Sequence, residues 1–533
     1  MNRVRLLDCT LRDGGYMNNW KFGEKNIRYI IDHCSKAGID IIECGFLSDV
    51  KYVKGYSIFP DTKTTNEFIP DKKDNRLYVA MIAIGEKEIH PDKLSFAKES
   101  KIKGIRLTFH PEETKKAFNW AKLLMKKGYK VFMQPVGSAN YDDETLLRLI
   151  GKINQLRPYA FYLVDTLGTM YQKDISRILY LVDNNLAPDI HLGFHSHNNL
   201  QMSFANAQEL IHFSTKRKMI IDCCIYGMGR GAGNLCTELL ADYLNQTGMK
   251  QYQVIPILEC IDECIMYYFA KFPWGYSAAY FLASSKKCHP NYASYLLSKQ
   301  KLSAYSISNL LDQLSETERL TFHKEAITDL YQKYQVHAVD DRVDREWQAE
   351  KVKGKKVLII GTGTTIRSHE KRIRHYIEKH HPFVISVNFV ENRYETNLVF
   401  IGNEKRYHHY EKELDLTKTI FSSNIENLPE NAHIVNYADL INSSVDVSDN
   451  AGLMVIKLLQ QLGVKDIALA GMDGYRGNQI LNYADKKMIG SVEPLETRVK
   501  NEETSEQLSQ MAKKTKIIFV TPSKYKLKRK EKF

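Results

Sequence analysis

Apolar residues in this chain gather in short runs, and the runs recur with a regular beat. Over the first 230 residues they fall at Val4–Cys9, Ile39–Cys44, Tyr78–Ala83, Gly104–Phe109, Lys130–Pro135, Tyr159–Val164, Ile190–His195 and Ile220–Ile225. Each is rich in β-branched and aromatic residues, the pattern of a buried strand. Between them lie helical stretches, for example Glu24–Ala37, Pro111–Lys127, Asp142–Leu156, Gln172–Asn185 and Leu200–Phe213. Eight strands alternating with helices predict an α/β fold, a parallel (β/α)8 TIM barrel over residues 1–245. The count of eight favours the barrel over an open doubly wound sheet.

The pattern changes twice further on. Residues 246–350 read as helical and Tyr-rich, with a turn at Pro273-Trp274-Gly275-Tyr276 and a charged stretch at Asp340–Lys356. This region is expected to close the barrel mouth, to form a homo-oligomer or to bind a partner. A second α/β unit is expected over 351–533. Its first strand, Lys356–Ile360, runs into Gly361-Thr362-Gly363-Thr364-Thr365 and then a helix. Six more strand candidates follow, at Phe383–Val387, Asn397–Ile401, Lys418–Phe421, His433–Asn436, Ile467–Gly471 and Lys516–Val520, which predicts a Rossmann-like sheet.

Composition adds limits. No run approaches a membrane span, and Met1-Asn2-Arg3-Val4 enters a strand directly with no signal peptide, which predicts a cytoplasmic protein. Nine cysteines are scattered with no CxxC pair, as expected of reduced, buried thiols. The formal charge of +12 is largely local: Met511–Phe533 carries nine Lys/Arg and one Glu. That tail, with Lys524-Tyr525-Lys526-Leu527-Lys528-Arg529-Lys530, is expected to be a solvated end, and no specific nucleic-acid contact is expected.

The candidate chemistry collects at strand ends, where a barrel of this kind places its active site. His195-Ser196-His197-Asn198-Asn199 puts two imidazoles on one face of a strand end. Val4–Cys9 ends in Thr10-Leu11-Arg12-Asp13-Gly14-Gly15, which adds a carboxylate and a guanidinium on a flexible turn. Asp13, His195 and His197 form an open divalent-metal site on this reading. Oxygen and imidazole donors suit Mn²⁺, Mg²⁺, Zn²⁺, Co²⁺ or Fe²⁺, with Mn²⁺ or Mg²⁺ preferred. The Gly-rich run Gly227–Asn234 offers Asn234 either as a further metal ligand or as a helix N-cap. Glu43, Arg106, Gln134, Asp165 and Thr166 complete a polar ring of expected substrate-binding groups.

Leu11-Arg12-Asp13-Gly14-Gly15, His195–Asn199 and Gly231-Ala232-Gly233-Asn234, in this order, resemble the metal-dependent aldolase and Claisen-enzyme superfamily, closest to its 4-hydroxy-2-oxovalerate aldolase-type members. The resemblance covers roughly Arg3–Leu240. It implies a TIM barrel in which Asp13, His195 and His197 match the metal ligands, Asn234 matches a ligand used by some members, and Arg12 matches the arginine that stabilises enolate charge. It also implies a 2-oxo acid substrate. The aldolases it resembles carry an acid/base histidine three residues after the metal aspartate; here Tyr16 stands there, and His110 is a substitute base. The expected activity is a metal-dependent aldolase acting on a pyruvate-derived aldol. The alternatives are a Claisen-type acyl-CoA enzyme and an inactive barrel acting as scaffold.

In the second unit the dinucleotide pattern G-x-G-x-x-G fails at its third position, Ile366. A nucleotide or phosphate at Gly361, Gly363 and Thr364 is expected, on free N–H groups at a helix start. Ser448–Gly452 and Leu462–Gly474 are similar to pterin diphosphokinase-like and surface-glycan transfer proteins, which implies a nucleotide or sugar-phosphate ligand and a role in surface-carbohydrate biosynthesis.

Overall fold

The computed structural model describes residues 4–71, 74–138, 141–299, 302–336, 339–444, 446–476, 482–485 and 494–527. It divides into two compact units, 1–291 and 292–533.

The first unit is a closed parallel barrel. Its strands are β1 (Val4–Asp8), β2 (Ile41–Leu47), the short β3 (Ile58–Phe59), β4 (Leu77–Ala83), β5 (Gly104–Phe109), β6 (Lys130–Pro135), β7 (Ala160–Asp165), β8 (His191–Ser196) and β9 (Met219–Cys223). Neighbouring barrel strands pair in parallel, and β1 pairs with both β2 and β9, which closes the ring. The two-residue β3 lies outside that ring, paired with β2 alone. The expected strands are therefore all present, two with the expected bounds and six shifted by one to three residues at one or both ends.

The helices between strands form because their apolar residues recur on one face. Helix Glu24–Ala37 buries Ile27, Ile30, Ile31, Cys34 and Ala37 and stops at Gly38, whose φ of +88° ends the helix in the left-handed region. Helix Asp143–Leu156 starts at Asp142, whose carboxylate accepts from Thr145 N. On the barrel strands Phe132, Phe161, Tyr162 and Phe194 are fully buried, each worth roughly 1.5–3 kcal/mol of apolar burial.

The helical stretch expected over 246–350 is divided between the units. Ile257, Cys260, Ile261, Cys264, Ile265, Tyr268 and Trp274 pack into the barrel core. Further on, Tyr331 donates to Asp449 at 2.7 Å and Asn424 donates to Gln335 at 2.7 Å, so these helices are part of the second unit.

The second unit carries a seven-stranded, wholly parallel sheet of β10 (Val357–Ile360), β11 (Phe383–Val387), β12 (Leu398–Ile401), β13 (Thr419–Ser422), β14 (His433–Val435), β15 (Asp466–Ala470) and β16 (Lys516–Phe519). The order is β14-β13-β12-β11-β10-β15-β16. After building one side of β10, the chain crosses back to add β15 on the other, a doubly wound arrangement. Among the described residues no helix is long and apolar enough to cross a membrane. Lys528, Arg529 and Lys530 of the basic tail lie outside the described residues.

Candidate metal centre

The turn after β1 is set by Asp8. Its carboxylate accepts from Thr10 N and Thr10 Oγ1 at 3.1 Å each and from Thr237 Oγ1 at 2.7 Å. Asp13 N then donates to Cys9 O at 2.8 Å, closing the turn. Gly15 has no room for a side chain, since a Cβ there would lie 2.2 Å from the Trp20 ring. Asp13 is thereby fixed over the carboxyl ends of β1, β8 and β9.

His195 and His197 meet it there. Their Nε2 atoms lie 3.8 and 4.0 Å from Asp13 Oδ2, and donor atoms of the three residues all stand within 4.8 Å of one another. The fourth expected group arrives from the Gly-rich loop. Asn234 donates through Nδ2 to Asp13 Oδ2 at 2.6 Å and to Met228 O at 3.1 Å. Its Oδ1 is buried and has no hydrogen-bond partner. The N-cap of the following helix, Thr237–Gln246, is Cys236, so Asn234 belongs to the centre and not to the helix start. The loop can pass this close because Gly229 has no Cβ; one would lie 2.3 Å from Asn234 Nδ2.

A buried ionic network holds the set in place. His195 Nδ1 shares a 3.0 Å hydrogen bond with Asp222 Oδ2, on β9. Asp222 also accepts from Tyr162 OH at 3.0 Å and pairs with Arg106. Arg106 in turn donates to Glu43 at 2.6 Å, and Glu43 accepts from Arg12 Nε at 3.0 Å. Arg12 Nη1 donates to Asp13. Two guanidinium groups thus face three carboxylates.

The electrostatics follow. Burial disfavours the Asp13 carboxylate, yet the charges of Arg12, His197, His195 and Arg230 hold its pKa well below the usual range. Burial also opposes a charged His195, but its bonds to Asp222 and Cys9 and the charge of Asp13 raise its pKa to about 9. Burial prevails at His197 and lowers it to about 3.

The other expected groups are dispersed in role. Arg106 and Glu43 have fully buried side chains engaged in the network, where they position Arg12 and His195, and Glu43 Oε1 is left without a hydrogen-bond partner. Asp165 accepts from Thr169 N at 3.0 Å and Met170 N at 3.1 Å, which makes it the brace of its own loop. Thr166 Oγ1 accepts from Gly137 N at 3.0 Å. Gln134 is buried in β6. His110 pairs with Glu86, 3.6 Å from Nε2 to Oε1, and that bond outweighs burial and raises its pKa.

Tyr16 lies beside the centre with its ring under Arg230, whose Cζ is 4.0 Å from the ring centroid. Burial raises the Tyr16 pKa despite the Arg230 charge, so the group is a neutral phenol at physiological pH. Asp222 and His289 escaped the sequence reading. Asp222 sits within an apolar strand run, and only its pairing to β8 gives it a role. His289, pushed down to about 3 by burial, feels Arg230, His197 and His110. The histidine type was a signal; its place among these groups was not legible.

Residues 3–259 match the HMGL-like family model. The chain is 25% identical over 272 residues to a 4-hydroxy-2-oxovalerate aldolase of Geobacillus genomosp. 3, covering 49% of this chain and 78% of that protein. It is 27% identical over 251 residues to an oxaloacetate decarboxylase of Mycobacterium tuberculosis, covering 46% and 70%. Among solved structures, the N-terminal domain of a candidate aldolase from Bacteroides vulgatus is 25% identical, covers 57% of this chain and 99% of that one, and superposes with a TM-score of 0.47. Over residues 3–259, just under half of its length, this chain is similar to the HMGL-like family.

Proposed function

We propose that the barrel is a divalent-metal-dependent carbon–carbon lyase that cleaves an aldol of a 2-oxo acid. One observation carries this reading: Asp13, His195, His197 and the unpartnered Asn234 Oδ1 converge at the carboxyl ends of β1, β8 and β9. The donor set fits a hard or borderline dication, with oxygen and imidazole ligands and no thiolate among the four. Mn²⁺ or Mg²⁺ is the expected occupant. When bound, it supplies Lewis-acid charge beside an enolate.

The chain's own groups do the rest. Asp222 holds His195 by Nδ1 and so leaves Nε2 as the donor nitrogen. Arg12 uses Nε on Glu43 and Nη1 on Asp13, and its remaining N–H groups would stabilise the developing oxyanion. Cleavage takes one proton from the aldol hydroxyl and returns one to the enolate carbon, and the Tyr16 hydroxyl relays it between them. The buried network keeps all of these from relaxing as charge moves.

The test is release of pyruvate from a panel of 4-hydroxy-2-oxo acids, read through lactate dehydrogenase and NADH. Wild-type protein loaded with Mn²⁺ is expected to release pyruvate from at least one of them. Arg12→Lys keeps the charge but loses the planar fork, so kcat should fall by about 10²-fold or more while KM changes little. No release from any member of the panel, or an unchanged kcat in the variant, would contradict the assignment.

A further inference from the structure

The second unit contains a cavity of about 160 Å³ at the carboxyl ends of β10, β11, β12 and β15. It lies beside the point where the chain reverses from β14 to β15 on the far side of β10, the position at which open parallel sheets bind ligands. The Gly361–Thr365 turn forms one wall, but its interior is taken. The Asp473 carboxylate accepts from Thr365 N at 2.8 Å and from the hydroxyls of Thr364 and Thr365. A Cβ at Gly363 would lie 2.4 Å from that carboxylate. The glycine pattern therefore accommodates an internal anion, and the short helix Thr365–Ser368 has no N–H left there for a phosphate on the turn.

The cations sit elsewhere around the cavity. Arg406, Lys500 and Lys299 line it. Arg406 is only 5% exposed, with its guanidinium 5.5 Å from the Tyr483 ring centroid. Burial lowers its pKa against the pull of Tyr483, Tyr410 and Asp485. Lys500 Nζ donates to Ser298 O at 3.2 Å and lies 5.8 Å from the Tyr475 ring. The nearby carboxylates are committed: Asp473 to the threonines, and Asp485 to Tyr410 OH at 2.6 Å. The first turn of helix Ala451–Gln461 adds its N–H groups to the wall at Ala451 and Gly452. A second cavity of about 80 Å³ shares Ser298, Lys299, Asn450, Tyr475 and Lys500 with the first, so the space is elongated.

We propose that this cavity binds a phosphorylated organic ligand, with phosphate against Arg406, Lys500 and Lys299 and a ring against Tyr475 and Tyr483. The charge calls for an anion, and guanidinium and ammonium groups together suit phosphate. The volume calls for more than inorganic phosphate, since a cavity of about 150 Å³ already holds a benzene ring. Nucleoside phosphates and sugar phosphates share this chemistry. The inference stands on the second unit alone and is independent of the barrel's reaction.

The experiment is calorimetric titration of the full-length protein with four nucleoside diphosphates, a set of hexose 1-phosphates, and inorganic phosphate and pyrophosphate. At least one organic phosphate should bind at least tenfold more tightly than either inorganic ion. The class that binds identifies the source. Lys500→Ala should weaken that binding about tenfold or more, the scale of one lost charge-assisted contact. Arg406→Lys should do the same, and Lys500, being partly exposed, carries the test if the Arg406 variant misfolds. Asp13→Asn should leave the affinity unchanged, which separates this result from the fate of the barrel assignment. Absence of binding by both organic classes, binding matched by inorganic phosphate or pyrophosphate, or an unchanged affinity in Lys500→Ala would overturn the proposal.

Discussion

Tyr16 is where this chain departs from the aldolases it resembles, and the structure says what the departure does. An imidazole at that position takes protons near pH 7; a buried phenol does not, because its pKa is raised by burial. Tyr16 is therefore suited to giving a proton. Tyr16→Phe removes only the hydroxyl, so kcat for cleavage should fall by about 10²-fold while metal content and KM for the oxo acid hold. Steady-state kinetics with metal analysis on the same sample checks this. Near-normal turnover would reduce Tyr16 to a packing partner of Arg230. At this scale the sequence was informative about ligand types, because Asp, His and Asn in those motifs have few other reasons to cluster. It was silent on Asp222, whose carboxylate lies in an otherwise apolar run and acquires meaning only when β9 pairs with β8. It also could not show that Asp473, some 110 residues from Gly363, fills the glycine turn.

Among elements, the strands were legible because each is a short run rich in β-branched and aromatic residues that the barrel buries on both faces. What the runs could not show was the interior pairing across strands. Glu43 on β2, Arg106 on β5 and Asp222 on β9 form one buried chain of charges, and each would be costly alone. Arg106, expected to bind substrate, lies fully buried within this chain of charges. Asp222→Asn keeps the shape and removes the charge that orients His195. Affinity for the divalent ion should fall 10–100-fold with the circular dichroism spectrum unchanged. Calorimetric titration with Mn²⁺ decides it, and an unaltered affinity would mean that Asp222 serves folding alone.

For the whole molecule, the boundary at 291/292 was the least legible feature. The helices between barrel and second sheet are alike in pattern, and besides packing only the absence of cysteine after Cys288 marks the change. Tyr331, Gln335 and the helix Ala304–Asp312 contribute buried positions to the second unit. A fragment of residues 292–533 should therefore unfold in one cooperative thermal transition. A fragment starting at 353 should lose that cooperativity, since it strips the partners of Asp449 and Asn424. Equal transitions for the two fragments would place the boundary near 353 after all.

The central claim is that the centre built on Asp13, His195 and His197 generates an enolate from a 2-oxo acid with a divalent ion. Exchange of pyruvate methyl protons with deuterium, followed by NMR, reads that step without knowledge of the aldehyde partner. The account predicts exchange with Mn²⁺- or Mg²⁺-loaded protein, and none above background after chelation or in Asp13→Asn. Exchange that survives in Asp13→Asn, or none in the loaded wild-type protein, would contradict it.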